Sequence, residues 1–165
     1  IRNDDFFKNM YGSSESEVRK NMISVPWKPA KSSVQFTRVN GAARQLEKVG
    51  NEIALRPDLS AYVAKSLGSL NYRPIAGTNR MSAHSFGVAI DFQLPETLHK
   101  YWRWDGCKSE DVICPYPKQL MSDAKLKEVV RIFEKYGFIW GGKWASYDSV
   151  HFEYRPELLI TQCRN

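Results

Sequence analysis

Residues 82–91, SAHSFGVAID, constrain the fold more than any other stretch of the chain. Val88, Ile90 and Phe92 alternate with Ala89 and Asp91, the period-two pattern of a strand with one apolar face. That pattern sets an ionisable carboxylate opposite a row of core-forming side chains. His84 then falls on the turn entering the strand, where Gly87 lets the backbone bend back. A histidine and an aspartate brought together beside the small Ala89 leave room for an ion. Imidazole and carboxylate both bind zinc, and a catalytic zinc takes three protein ligands and keeps a fourth position open.

The third ligand has to come from elsewhere. The histidines are His84, His99 and His151. His151 lies in WASYDSVHFEYRP, where Val150, Phe152 and Tyr154 alternate with His151 and Glu153, a second strand with one polar face. Asp148, three residues earlier, is placed to act as general base on an attacking water. Glu153, on the same polar face as His151, is the alternative base. His99 has no acid at useful spacing and reads as a surface residue. Spacing alone leaves a plainer reading open at each position, because a single strand His or Asp is usually a hydrogen-bonded or solvated group.

Taken together, Ser82-x-His84-x-x-Gly87-x-Ala89-x-Asp91 and Asp148-x-x-His151 resemble the zinc D-alanyl-D-alanine carboxypeptidase and L-alanyl-D-glutamate endopeptidase family, which cleaves peptidoglycan peptides. The wording WGGKW, then Asp148, then HFE is closest to the endopeptidase branch, and the resemblance runs over about residues 34–156. It implies zinc held by His84, Asp91 and His151, with Asp148 as the catalytic acid–base residue. It also implies that Arg73, in NYRP, binds substrate and stabilises the transition state. Some members carry Glu where this chain has Asp148, which reaches one methylene less far and bears on branch and substrate. Read from the residue alone, the planar fork of Arg73 suits a substrate carboxylate or an oxyanion, and equally a surface ion pair. Arg80, from the polar turn GTNR, is a second substrate-binding candidate. Ser82 is placed either to bond substrate or to orient His84. With Asp148 as base, Glu153 becomes a supporting carboxylate or an ion-pair partner.

The expected architecture is an α+β domain in which a small antiparallel sheet carries the zinc site and helices pack on one side, similar to the DD-peptidases and to Hedgehog-type signalling domains. Residues 1–33 are expected as an N-terminal appendage packed on a zinc peptidase domain of residues 34–165. A capping box from Ser14 to Glu17 opens a short helix reaching about Met22. Residues 34–38 alternate as a strand. Asn40 is expected to cap a helix with Ala42, Leu46, Val49 and Ile53 on one face, ended by Pro57. Another short helix is expected from Asp58 or Ser60, around Tyr62 and Val63, to near Gly68. The clearest helix starts at Ser122 or Asp123, buries Leu126, Val129, Val130 and Phe133, and stops at Gly137. Phe138, Ile139 and Trp140 follow as a strand.

The net charge of +6 favours a polyanion, and an anionic cell wall qualifies. Nucleic acid is not expected as a partner, because the basic residues are interspersed with acids rather than blocked, and Asp91 and Asp148 would repel phosphates unless metal is bound. No apolar run is long enough to span a membrane. A chain starting at Ile1 rather than Met suits a trimmed or processed product, and the resemblance implies a periplasmic or secreted monomer acting on peptidoglycan stem peptides. Cys107 and Cys114 flank a short loop and pair if the protein is exported; the alternative is that they and Cys163 stay free thiols. Residues 98–114 form an aromatic insertion. If extended, it puts Trp102 and Trp104 on one face and walls a cleft; otherwise it is a loop pinned by its aromatics.

The expected activity is zinc-dependent hydrolysis of an amide bond in the stem peptide, by a D-amino-acid-releasing carboxypeptidase or an L-Ala–D-Glu endopeptidase. The alternative is a non-catalytic zinc-containing module that binds cell wall or protein, which loss of the acidic base would mark.

Overall fold

Two antiparallel sheets and two long helices position everything else in the computed structural model, which describes residues 3–107 and 114–160. The first sheet is a hairpin of β1 (Met22–Trp27) and β2 (Ser32–Thr37). The second contains β3 (Ser66–Gly68), β4 (Ala89–Phe92), β5 (Phe138–Trp140) and β6 (His151–Tyr154), in the order β3-β4-β6-β5. The helices in chain order are α1 (Asp4–Tyr11), α2 (Glu15–Lys20), α3 (Ala42–Ala54), α4 (Pro57–Ser60), α5 (Gln119–Ser122) and α6 (Ala124–Lys135). The chain is therefore α+β, with two small antiparallel sheets.

The register of the second sheet brings the strands of Asp91 and His151 together. Asp91 lies directly across from His151, Ile90 from Phe152 and Ala89 from Glu153. Alternation then sends Ile90, Phe92 and Phe152 to one face and Asp91, His151 and Glu153 to the other. The apolar face receives α3 through Leu46, Val49 and Ile53, and α6 through Leu126, Val129 and Phe133, all fully buried. The Phe133 ring stacks on Phe152 at 3.9 Å between centroids and meets Phe92 edge-on at 6.0 Å.

The hairpin belongs to the same core. Trp27 is fully buried, stacks on Phe92 at 5.0 Å, and its indole N–H donates to Val63 O at 2.8 Å. The expected division between residues 33 and 34 falls inside β2. The helix α1, which periodicity did not announce, opens with Asn3 accepting from Phe6 N and buries Phe7 and Tyr11. These two rings join Ala83, Phe86, Val88 and Ala89 in a smaller cluster on the ligand-bearing side of the sheet.

Several boundaries differ from expectation. Asn40 does not cap α3: it sits at φ +54° in a 3-10 turn, and Gly41 occupies the cap position. The helix expected around Tyr62 and Val63 is only α4. It starts at Pro57, which is pre-set for a first helical turn, and the chain is already extended at Ser66. Ser14 caps α2 as expected, but Glu17 reaches back to Ser13 N rather than Ser14 N. Asp123, not Ser122, caps α6, accepting from Leu126 N at 2.7 Å.

Residues 98–107 run through successive turns instead of extending. Trp102 is buried against Cys107 and Tyr147, while Trp104 is exposed, so the two rings do not share a face. Cys107 and Cys114 form a disulfide. Cys163 and residues 108–113 lie outside the described residues. No helix among the described residues is long and apolar enough to cross a membrane.

Candidate metal centre

His84, Asp91 and His151 meet on the polar face of the second sheet. Asp91 and His151 arrive as cross-strand partners on β4 and β6. His84 comes from a 3-10 turn, Ala83–Phe86, that feeds β4. Gly87 makes the junction at φ +65°, a left-handed conformation that suits glycine. A Cβ there would lie 2.4 Å from Met22 Sδ. Ser82 starts the turn, its Oγ accepting from His84 N at 3.3 Å and its own N–H donating to Arg73 O at 3.0 Å.

The three ligand atoms form a nearly equilateral triangle. His84 Nε2, His151 Nδ1 and Asp91 Oδ1 are 3.1 Å from one another on every side. The opposite nitrogens fix which atom of each ring faces inward. His84 Nδ1 lies 3.0 Å from Ser69 O, and a carbonyl only accepts, so the proton sits there and Nε2 presents a lone pair. His151 Nε2 lies 3.4 Å from Glu153 Oε2, which turns Nδ1 toward the centre. Two imidazole lone pairs and a carboxylate oxygen thus converge on one point, an arrangement that calls for a cation. Four-coordinate zinc with bonds of ~2.0–2.1 Å holds its ligand atoms about 3.3 Å apart, so the set fits that ion. The histidine side chains are only 10% and 9% exposed, whereas Asp91 is 27% exposed, which leaves the solvent side of the triangle open.

Burial disfavours a charged His151, yet the carboxylates of Asp91 and Glu153 outweigh it and push the imidazole up to about 10, so a cation entering the triangle takes the place of a proton on Nδ1. Burial works to raise Asp91, and the neighbouring imidazoles of His151 and His84 reverse this, holding its carboxyl well below the usual range.

Asp148 lies just outside the triangle. Its backbone N–H donates to Gly141 O at 3.1 Å, and its carbonyl accepts from His151 N. Burial raises its carboxyl above the ordinary value; His151 and His84 pull it down, and Asp91 pushes it up. Gly141 makes this approach possible, since a Cβ there would lie 2.6 Å from Asp148 O and 3.2 Å from His151 Cβ. Tyr101 bridges to Asp148, Trp102 N donates to Tyr147 O, and Ser149 N donates to Lys100 O. The aromatic insertion is thereby stitched to the Asp148 loop.

The arginines stand apart from this centre. Arg73 is exposed, and its guanidinium donates to Pro74 O at 3.3 Å rather than to any of the three ligands. Its backbone is nonetheless anchored beside the His84 turn, where Ser85 Oγ accepts from Arg73 N at 2.9 Å. Arg80 is half-buried, and its carbonyl accepts from Ile75 N within the same hairpin, which Pro74 and Met81 bridge. His99 packs on Trp104 at 5.1 Å, away from the cluster.

Two contributors carry no motif. Ser69 acts through its carbonyl, which every residue type has, and nothing in a sequence marks it. Glu153 was visible as a neighbour of His151; its bond from Arg155 Nη1 at 2.9 Å shows it as an ion-pair partner as well. A cleft of about 740 Å³ between β2 and β3 is lined by Val34, Gln35, Leu67 and Ser69 and contains none of the three ligands, so size alone does not locate the chemistry.

Residues 76–154 match a family model described as D-alanyl-D-alanine carboxypeptidase. The matched segment contains His84, Asp91, Asp148 and His151 and leaves Arg73 outside. Searches of the curated proteins and of the solved structures found no match.

Proposed function

We propose that this chain, which through residues 76–154 belongs to the D-alanyl-D-alanine carboxypeptidase family of peptidases, is a zinc-dependent hydrolase of an amide bond in peptidoglycan stem peptides. The observation that carries the reading is the convergence of His84 Nε2, His151 Nδ1 and Asp91 Oδ1, 3.1 Å apart, with the opposite nitrogen of each ring already engaged. His84, Asp91 and His151 would hold the ion. Zinc bound there supplies Lewis-acid polarisation of the scissile carbonyl and lowers the pKa of water toward ~7.

The remaining work falls to the chain's own residues. Asp148 accepts the proton of the attacking water at its carboxylate and returns it to the leaving amine. Its burial makes it a stronger proton acceptor than a surface aspartate. Glu153 orients His151 through Nε2, and that engagement argues against its acting as base. Arg73 docks a substrate carboxylate, for which an exposed planar fork is suited. Ser82 Oγ accepts from His84 N, and its hydroxyl hydrogen remains to donate to a substrate carbonyl. Arg80 is the second anionic-group contact. Such an enzyme would act in the periplasm or outside the cell, where its substrate lies.

The bond cut is a terminal D-amino-acid link, as the family description says, or the internal L-Ala–D-Glu link, as the WGGKW wording says. Mass spectrometry of defined muropeptides after digestion, with zinc content measured in parallel, tests both. Hydrolysis that depends on zinc and Asp148 is the expected result. A zinc-loaded wild type that cleaves no muropeptide would establish the second reading, a zinc-bearing binding module. The half-buried Asp148, coupled electrostatically to His151, Asp91 and His84, favours the enzyme.

A further inference from the structure

Helix α1 reaches the back of the metal centre from the far end of the chain. The buried Phe7 ring lies 5.4 Å from the ring of Phe86, two residues beyond His84 on the same 3-10 turn. The guanidinium of Arg155 lies 5.1 Å from the same Phe7 ring. Arg155 Nη1 donates to Glu153 Oε1 at 2.9 Å, and the other oxygen of Glu153 receives His151 Nε2. One phenylalanine therefore backs onto both histidines, through Phe86 on one side and through Arg155 and Glu153 on the other. At the start of the helix, Asp4 Oδ2 accepts from Met81 N at 2.8 Å, one residue before the Ser82 cap.

Each link has a physical purpose. An imidazole chooses which nitrogen faces a metal by the bond its other nitrogen makes. Glu153 is 3% exposed, and a carboxylate so deeply placed needs a charged partner to stay ionised and oriented. Arg155 is that partner. Its guanidinium serves two carboxylates at once, Glu157 through Nε and Glu153 through Nη1, and only a fixed orientation satisfies both. The Phe7 face supports that orientation by a cation–π contact in a setting where the arginine side chain is only 15% exposed.

We propose that α1 is part of the metal centre: Phe7, Arg155 and Glu153 are positioning residues that hold His151 and His84 in ligating geometry and raise zinc affinity. The proposal rests on the zinc reading above and extends it to residues outside the matched segment, since α1 and Arg155 fall beyond residues 76–154. It differs from a role as cover. Cover would affect unfolding of the whole domain and leave the affinity of the folded site alone.

The test is zinc affinity of the full chain by chelator competition, alongside thermal melts of the zinc-free proteins and absorption spectra of the cobalt-substituted ones. Glu153→Gln should weaken zinc roughly 10–100-fold, the usual loss when the partner of a ligating histidine is removed. Arg155→Met keeps bulk without charge and should weaken it in the same direction, with Arg155→Lys in between. Phe7→Leu keeps an apolar side chain but removes the ring face and should cost about three- to tenfold, within the range of a partly desolvated cation–π contact. The cobalt spectra should shift, because ligand geometry changes. If the zinc dissociation constants of Phe7→Leu and Arg155→Met stay within about twofold of wild type and only the melts move, α1 is cover and the proposal fails alone. If the wild type itself takes up no zinc, this proposal and the zinc reading fall together.

Discussion

His84 and His151 are buried and bonded through both ring nitrogens, whereas Arg73 is exposed and its guanidinium reaches only the carbonyl of the next residue. The His84–Asp91–His151 cluster, which could hold a metal ion, is set by the fold itself. Sheet register fixes Asp91 against His151, a glycine turn delivers His84, and Ser69 and Glu153 hold the rings. Arg73 is anchored through its backbone beside the His84 turn, and its exposed guanidinium is free to turn from the Pro74 carbonyl toward a substrate. Rigid elements suit an ion that tolerates little error in distance, and a looser rim suits a peptide that has to enter and leave.

The sharpest way to break that contrast is to remove a ligand. His151→Ala should abolish stoichiometric zinc and activity together, while Arg73→Ala keeps zinc in full. Metal analysis of the two purified variants checks this, and zinc held by His151→Ala at wild-type affinity would move the centre elsewhere. Next in size is Asp148→Asn, which keeps shape but cannot accept a proton. It should bind zinc normally and lose roughly 10²–10⁴-fold in kcat, with little change in KM. Steady-state kinetics on a defined muropeptide decides between it and Glu153→Gln, whose larger effect should be on zinc. Arg73→Lys should cost less, roughly 10–100-fold in kcat/KM, the worth of a charge-assisted bond that a point charge cannot copy. Its zinc content should be that of wild type, and equal turnover would pass the role to Arg80. The smallest change is expected at Trp104→Ala. An exposed ring on a turn should shift unfolding by no more than about 0.5 kcal/mol in a denaturant melt.

The same contrast explains what could be read from the chain in advance. Asp91 and His151 were legible because strand alternation puts them on a polar face, and His84 because the family wording joins the turn before β4 to them. The faces of α3 and α6 were legible because Leu46, Val49 and Ile53, like Leu126, Val129 and Phe133, recur at helical spacing over several turns. Helix α1 was not, since eight residues give too few turns for a period and its burial depends on Phe86, far along the chain. The place of Trp27 in the main core was not legible, because an extended stretch between two prolines carries no alternation to say which face is buried. For Trp102 and Trp104 the residues left two arrangements open, since spacing assigns faces only to an extended segment; this one turns, and the loop pinned by the buried Trp102 is the arrangement found.

The two histidines also differ in how a random substitution can reach them. The proton on His84 is placed by the main-chain carbonyl of Ser69, which survives any side-chain replacement at that position. The proton on His151 is placed by the carboxylate of Glu153, which a single base change in its codon can remove. Mutational drift can therefore loosen one histidine of the pair more readily than the other, and a library selected for weakened metal binding should, beyond the three ligating positions themselves, gather its hits around Glu153 and Arg155 more than at position 69.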